Sequence, residues 1–349
     1  MMGQSVHLRN FLKMADCEIV AVCDQRGELA QKVAAKHGIA AAFASHQEML
    51  KAVECDAVVA INYPHIHYQQ VIDCARAGKH SYVEKPMAMS SADARAMVEA
   101  AAANGVFCMV AHMKRYDSGM RLAKQIIDEA KASGELGKPT HARAHYFCGE
   151  WIAGYHEPRV NVAEANPSGG YPLRRPDFMP ADHTRAWWEF LQQFCHATNA
   201  LRFLWGDPNE IRYAKWDDFA QQPGRCLAVL QIGDLSCTLE AGGMRAHFWD
   251  EEYKLYFEKG WVEVKCPPPL LQQTPAKVEV YRADQPAFEQ PIAAWGWAFE
   301  NEARHFVECV RDGTEPLTSG ADTWKDIYLC EQLYLANQEG KGRELIYNR

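Results

Sequence analysis

Three places in this chain carry side chains whose type and spacing could do chemistry. Lys85 closes a short apolar run, HSYVEK (80–85), and Pro86 follows it. At the C-terminal end of a parallel strand a lysine stands at the mouth of the sheet, where ligands bind. Partial burial and a neighbouring cation would bring its ammonium toward neutral pKa and fit it to move protons. Asp24 closes a second run, EIVAVCD (18–24). A carboxylate there is placed to accept a pair of adjacent hydroxyls. In WWEFLQQFCHATNALRFLWGD (187–207), Gln192, His196 and Asn199 fall at i−4, i and i+3 and share one helical face. Phe190, Leu191, Phe194, Leu201 and Leu204 make the other faces apolar. A polar stripe on a helix that is otherwise buried needs a ligand, water or another polar group to satisfy it. The plainer alternatives are a solvated surface lysine, a surface acid and a hydrogen-bonded core histidine.

The elements around these residues alternate. Leu8, Phe11, Leu12 and Ala15 have helical spacing. After the strand at 18–24, residues 27–37 read as a helix ending at Gly38, and Ser45 with Glu48 forms a capping box for another. DAVVAIN (56–62) is a strand, 64–77 a helix before Gly78, 80–85 a strand, 91–103 a helix and VFCMVAH (106–112) a strand. Strict alternation implies parallel strands joined by right-handed crossovers, the doubly wound Rossmann-type α/β pattern. In that pattern Asp24 would hold the ribose of NAD and repel the 2′-phosphate of NADP. Arg26 softens the preference, so NADP stays possible.

Such a domain ordinarily opens with an apolar strand and G-x-G-x-x-G. Here a helix begins almost at once, and Gly3 stands at the third glycine position. The reading is a dinucleotide-binding domain over 1–115 whose first strand is missing, for example through a start assigned too late. A degenerate domain without cofactor is the alternative. Loss of a central strand would leave two edges unpaired, so the chain as written is expected to be unstable and to bind NAD(H) poorly.

Beyond a helix near 118–133 the pattern changes to period two in THARAHYF, NEIRYAKW, RCLAVLQI, LSCTLEA, a run near 245–258, and WVEVK. This predicts an α+β domain over 116–349, for substrate binding and oligomerisation, with one large, mostly antiparallel sheet. Helices at about 296–311 and 322–337 should pack back toward the first domain. The segment 149–183 holds Trp151, Tyr155, His156, Arg159, Tyr171, Arg174 and Arg175. Aromatic faces suit sugar C–H surfaces and arginines suit carboxylates. Tyr171 is the substrate candidate there. A surface or subunit-contact loop is the plainer reading.

The run AGKHSYVEKP (77–86) resembles the A-G-K-H-V-x-x-E-K-P signature of the glucose–fructose oxidoreductase / inositol dehydrogenase / MocA family. NYPHIH (62–67) resembles that family's T-P-x-x-x-H stretch, with Asn62 in place of Thr or Ser, Pro64 in the stretch and His67 at its histidine. HMKRYD (112–117) resembles N-R-R-Y/F-D-P, with Arg115 as the matching arginine. The 187–207 helix aligns with D-x-G-x-H-x-x-D, with His196 as the histidine. The resemblance covers most of 3–120 by order and motif, and the remainder more loosely.

What the resemblance implies is an NAD(P)-dependent oxidoreductase acting on the secondary hydroxyl of a sugar, polyol or related compound. Lys85 would be the acid/base and His196 the partner of the substrate hydroxyl. Gly3, Asp24, Asn62, Pro64, His67, Glu84, Lys85 and Arg115 would line the cofactor, with Glu84 and His67 near ribose. The bond before Pro86 would be cis. Gln192, Asn199, Arg115 and Tyr171 would face substrate. The departure is that the family's two acids are Gln192 and Asn199 here. Glutamine cannot orient or charge a histidine as a carboxylate does.

Composition narrows the remaining classes. A net charge of −8 argues against a general nucleic-acid surface, and no apolar run reaches the roughly 20 residues of a membrane helix. The N-terminus lacks a signal-peptide core, and 12 scattered cysteines without C-x-x-C read as reduced thiols of a cytoplasmic protein. His65 and His67 lack a third ligand, so no metal is expected. A homo-oligomer through the second-domain sheet is expected. Two other functions compete: an NAD-dependent glycoside hydrolase of the same fold, and a non-catalytic binding or regulatory protein.

Overall fold

The computed structural model describes residues 1–152, 158–165, 167, 173–217, 224–243 and 248–347. The chain forms two compact units, each taken over its described residues. The first comprises Met1–Ala111, His156–Arg175 and Glu302–Trp324, and the second His112–Tyr155, Pro176–Asn301 and Lys325–Arg349.

The first unit opens on one π-helical turn, Gly3–His7, that runs into α1 (Leu8–Leu12). Then come β1 (Ala21–Cys23), α2 (Gly27–His37), β2 (Ala41–Phe43), α3 (His46–Ala52), β3 (Ala57–Ala60), α4 (Pro64–Arg76), β4 (His80–Glu84), α5 (Ser91–Ala103) and β5 (Cys108–Ala111). Local chemistry sets the ends. Ser45 and Ser90 each accept the backbone N–H three residues on, capping α3 and α5. Pro64 stands at the start of α4, where its missing N–H costs nothing. Gly38 ends α2 at φ 68°, a left-handed conformation that a side chain would oppose.

All the strands of this unit pair in parallel, as the alternation predicts, but in two sheets. One is β1-β2 and the other β3-β4-β5. Among the described residues no strand pairs with the outer edge of β1 or of β3. β4 is central in the larger sheet, and Tyr82, Val83 and Glu84 are buried in it. The core beneath it includes Val71, Met87, Met97 and Val110. A fully buried side chain of that size contributes about 1.5–3 kcal/mol.

The second unit begins with a 3₁₀ turn, Met113–Tyr116, and α6 (Ser118–Ser133). β6 (Pro139–Cys148), α7 (Thr184–Trp205), β7 (Glu210–Asp217), β8 (Arg225–Ile232), β9 (Leu235–Gly243), β10 (Asp250–Phe257), β11 (Gly260–Lys265), β12 (Lys277–Arg282) and β13 (Ala287–Glu289) follow. Two helices, α8 (Ala298–Asp312) and α9 (Gly320–Glu339), belong in part to each unit, and β14 (Arg343–Glu344) comes last. The sheet has nine strands in the order β13-β12-β11-β10-β6-β9-β8-β7-β14. Every pair is antiparallel except β6 with β9. Gly119 shows how closely α6 packs. A Cβ there would stand 1.9 Å from the Ala276 carbonyl oxygen, so only glycine fits.

All twelve cysteines are free thiols and most are buried. Among the described residues no helix is long and apolar enough to cross a membrane, and no cluster of three metal-binding side chains occurs.

Candidate functional site

In the first unit, β4 delivers Lys85 to its C-terminal end. The residue before it supplies the anchor. Glu84 Oε2 accepts the Lys85 backbone N–H at 2.9 Å, and Oε1 lies 2.7 Å from His7 Nε2. His7 Nδ1 lies 3.3 Å from the Tyr82 hydroxyl, which donates to Glu302 Oε2 at 2.8 Å. The chain Glu302–Tyr82–His7–Glu84 therefore runs through the core and ends on the main chain of Lys85. Burial pushes the Glu84 carboxyl up, but the His7 bond and the charges of His7 and Lys85 outweigh it and hold it below the usual carboxylate value. Burial drives the Glu302 carboxyl well above that value, which favours its protonated form. Lys85 itself is half-buried, and its bond to Pro86 is cis.

His67 braces the same turn from α4. Its Nδ1 lies 3.2 Å from the Pro86 carbonyl oxygen and 3.3 Å from that of Met87. Carbonyls only accept, so Nδ1 carries the proton. The resemblance puts His67 beside a cofactor ribose; the structure buries it completely beneath the turn. Burial lowers its pKa to about 4. The unfolded value is near 6.5. Between these values the unfolded chain binds more protons, so this contribution is complete above pH 6.5 and lost as pH falls toward 4. It amounts to about 3 kcal/mol. Urea unfolding of His67→Phe across that range should show a flatter pH dependence than the wild type. An identical slope would contradict the assignment.

The remaining first-unit candidates lie at strand and helix ends. Asp24 follows β1 and is gripped by Arg26, whose Nε and backbone N reach Oδ1 at 2.9 and 3.0 Å and whose Nη2 reaches Oδ2 at 3.1 Å. Asn62 is exposed and donates to Gln70, and Pro64 is buried in the first turn of α4. A Cβ on Gly3 would meet Ile61 at 3.8 Å, an ordinary contact, so packing alone does not demand glycine there.

These residues fit a nicotinamide dinucleotide. A carboxylate has about four acceptor positions. Arg26 occupies three of those on Asp24, which leaves one on Oδ2 for a ribose hydroxyl. The guanidinium beside it suits a 2′-phosphate as well.

Part of the long 149–183 segment belongs to this unit. Val160 exchanges two hydrogen bonds with the Gln4 side chain, and Glu164 accepts the Glu28 N–H in the first turn of α2. Arg174 forms a bidentate pair with Asp93 and covers the Tyr68 ring. Its guanidinium is thus engaged within the protein. Tyr171, with Tyr155 and His156, lies outside the described residues.

In the second unit, α7 carries the polar stripe. His196 is buried between two rings. Tyr146 of β6 stacks on it with 6.3 Å between centroids, and His112 meets it edge-on at 6.4 Å. Gln192 is half-buried one turn earlier. Asn199 is buried, and its amide is used at both ends: Oδ1 accepts Arg115 Nε at 2.9 Å and Nδ2 donates to Asp326 at 2.7 Å. Arg115 is buried with it and lies over Phe203. Beside Tyr146, Lys114 Nζ contacts Glu251 at 2.5 Å. Burial pulls the Lys114 pKa down, but Glu251 outweighs it and keeps the ammonium charged.

His7, Lys114, His112, Tyr146, Glu251 and Asp326 were not singled out in the sequence. A signal existed for two of them. His7 follows Gly3 by one helical turn, and Asp326 stands directly before the apolar run Ile-Tyr-Leu-Cys (327–330) of α9.

Comparison with known proteins agrees with the fold. Residues 1–112 match the model of the oxidoreductase family with an NAD-binding Rossmann fold, GFO_IDH_MocA. D-apiose dehydrogenase of Paraburkholderia graminis is 26% identical over 354 residues, covering 97% of this chain and 86% of that protein. D-glucoside 3-dehydrogenase of Escherichia coli is 35% identical over 151 residues, 42% of this chain and 41% of its own length. Among solved structures, an NAD-binding oxidoreductase from Klebsiella pneumoniae superposes with TM-score 0.77 at 18% identity, covering 100% and 97% of the two chains. The fold and the family match together define an oxidoreductase built on a nicotinamide-binding α/β unit and a sheet-based second unit. Residues 1–112 are thus similar to the NAD-binding module of the Gfo/Idh/MocA oxidoreductases, and the similarity to D-apiose dehydrogenase extends over 97% of the chain.

Proposed function

We propose that this protein is a nicotinamide-dependent dehydrogenase or reductase acting on a secondary hydroxyl of a sugar or polyol. The observation that carries this reading is the anchored Lys85. Glu84 and His67 hold the backbone on both sides of it through buried hydrogen bonds, and the side chain is left half-exposed at the end of β4. Fixed geometry of this kind is what proton transfer in a catalytic site requires. The cofactor, when bound, supplies the hydride chemistry. Lys85 Nζ takes the hydroxyl proton during oxidation and returns it during reduction. His196, set between Tyr146 and His112, binds a substrate hydroxyl. Asp24 and Arg26 bind the adenosine ribose. Arg115 is a positioning residue that works through Asn199.

Self-association through the outer face of the nine-stranded sheet belongs to the same reading. Arg143, Glu240, Glu252, Lys254 and Glu263 form a charged ladder there, next to Trp261.

The test is a screen of the purified protein against aldoses, inositols and glucosides with NAD or NADP, recording net reduced nicotinamide. We expect substrate-dependent accumulation with at least one polyhydroxylated compound. Release of an aglycone without net reduction would identify a hydrolase instead. Cofactor binding without turnover of any compound in the screen would favour the non-catalytic reading.

A further inference from the structure

The polar stripe on α7 has no acid: Gln192 precedes His196 by one turn and Asn199 follows it. A carboxylate reaches the stripe from another element. Asp326 of α9 is 0% exposed, and its two oxygens have separate duties. Oδ1 accepts Arg202 Nη1 at 2.5 Å, which compensates the buried charge. Oδ2 faces the stripe, accepting Asn199 Nδ2 at 2.7 Å and lying 3.5 Å from His112 Nε2. The His112 ring in turn meets His196 edge-on, at an interplanar angle of 89°. A plain structural ion pair would need only Arg202, yet three groups converge on this one carboxylate.

We propose that Asp326, on α9, and His112, which caps the 3₁₀ turn, are positioning residues that supply the acidic support for His196 that Gln192 and Asn199 of α7 do not. The carboxylate fixes the orientation of His112, whose ring, with Tyr146 on the other side, sets the plane of His196. Other charged groups packed around this cluster are Arg115 on the 3₁₀ turn, Arg202 on α7, and Asp207, which bonds Arg202 and Lys325. The Lys114–Glu251 pair lies behind Tyr146. The inference rests on the reading of His196 as the partner of a substrate hydroxyl.

Two measurements test it, and they separate failure of the inference from failure of that reading. The first is the nitrogen-15 NMR titration of the His196 imidazole in the wild type and in His112→Gln, which needs no activity. The His196 resonances and titration should shift. Unchanged spectra would overturn the inference whatever the enzyme does. The second is kinetic. His112→Gln should lower kcat by about 10- to 100-fold, by analogy with the loss when outer partners of metal-bound histidines are removed. Adding Gln192→Asp to His112→Gln restores a carboxylate one turn before His196 and should recover several-fold of the loss. Recovery in a protein with unchanged circular dichroism is not expected of a merely structural residue. A His112→Gln enzyme with wild-type kcat, or a double variant with no recovery, would refute the assignment. Asp326→Asn should follow His112→Gln in both readouts. If it fails to fold because Arg202 keeps only Asp207 as a carboxylate partner, the His112 variants still decide the question. A wild type without dehydrogenase activity would remove the functional reading but leave the titration result to stand on its own.

Discussion

Lys85→Met should reduce kcat by about 10²- to 10⁴-fold, the span that a positioned acid/base contributes. Methionine keeps the length and apolar character of the lysine stem and removes only the ammonium. The anchors of the turn are main-chain bonds: the residue-85 N–H donates to Glu84, and the Pro86 and Met87 carbonyls face His67. None depends on the side chain replaced. Melting temperature and cofactor affinity should therefore stay close to wild type while turnover collapses. The measurement is steady-state formation of reduced nicotinamide on the substrate found in the screen, with cofactor binding followed by fluorescence. Near wild-type turnover would show that another group moves the proton. A loss confined to cofactor affinity would make Lys85 a binding residue.

The second large effect is on stability. Lys114 and Glu251 form an ion pair in which both side chains are almost wholly buried. Glu251 also accepts from Trp249 Nε1 at 2.9 Å and from the Tyr253 hydroxyl at 2.7 Å. The ammonium faces the Tyr146 and Trp249 rings. Removing one partner strands a charge in low dielectric, so Lys114→Met should cost about 3–5 kcal/mol in urea unfolding. Replacing both, as in Lys114→Met with Glu251→Leu, should cost markedly less, because no charge is left behind. The double replacement does orphan the Trp249 and Tyr253 donors, which keeps it from being neutral. Single and double variants of equal stability would mean the pair is solvated in solution.

Most of the architecture was legible because it rests on strong periodicities. The helices at 27–37, 91–103 and 118–133 fall where the sequence reading places them, the first of them ending at Gly38. β8, β9 and β11 follow from alternation. The sequence reading did not anticipate β2, β12, β13 or β14. β2 is three small or aromatic residues, Ala-Ala-Phe, too short to show a period. β13 is fully exposed and β14 has two residues, so neither carries a burial pattern.

The candidate site divides in the same way. Lys85, Glu84 and Pro86 are contiguous, so their motif was visible. The polar stripe of α7 was visible because one helix carries all of it. The supports of His196 come from β6, the 3₁₀ turn and α9, separated by up to 214 residues. No local pattern links such distant positions. His67 and Asn199 illustrate the converse. Both fall at motif positions, His67 as the matching residue and Asn199 in place of an acid, but in the structure hydrogen bonds to the Pro86 and Met87 carbonyls and to Arg115 and Asp326 occupy them. Chemical type alone cannot tell a ligand-facing group from one that braces a neighbour.

The interior thiols give the protein a further property. A thiol reacts with electrophiles as its thiolate. Burial holds Cys74, Cys108 and Cys226 near pKa 12, and even the exposed Cys23 is raised to about 11, by burial of its sulfur environment and then by Asp24 and Glu48. At physiological pH these sulfurs are almost entirely protonated and slow to alkylate or oxidise. The buried thiols are thereby chemically quiet while the protein is folded and become reactive only when the core opens.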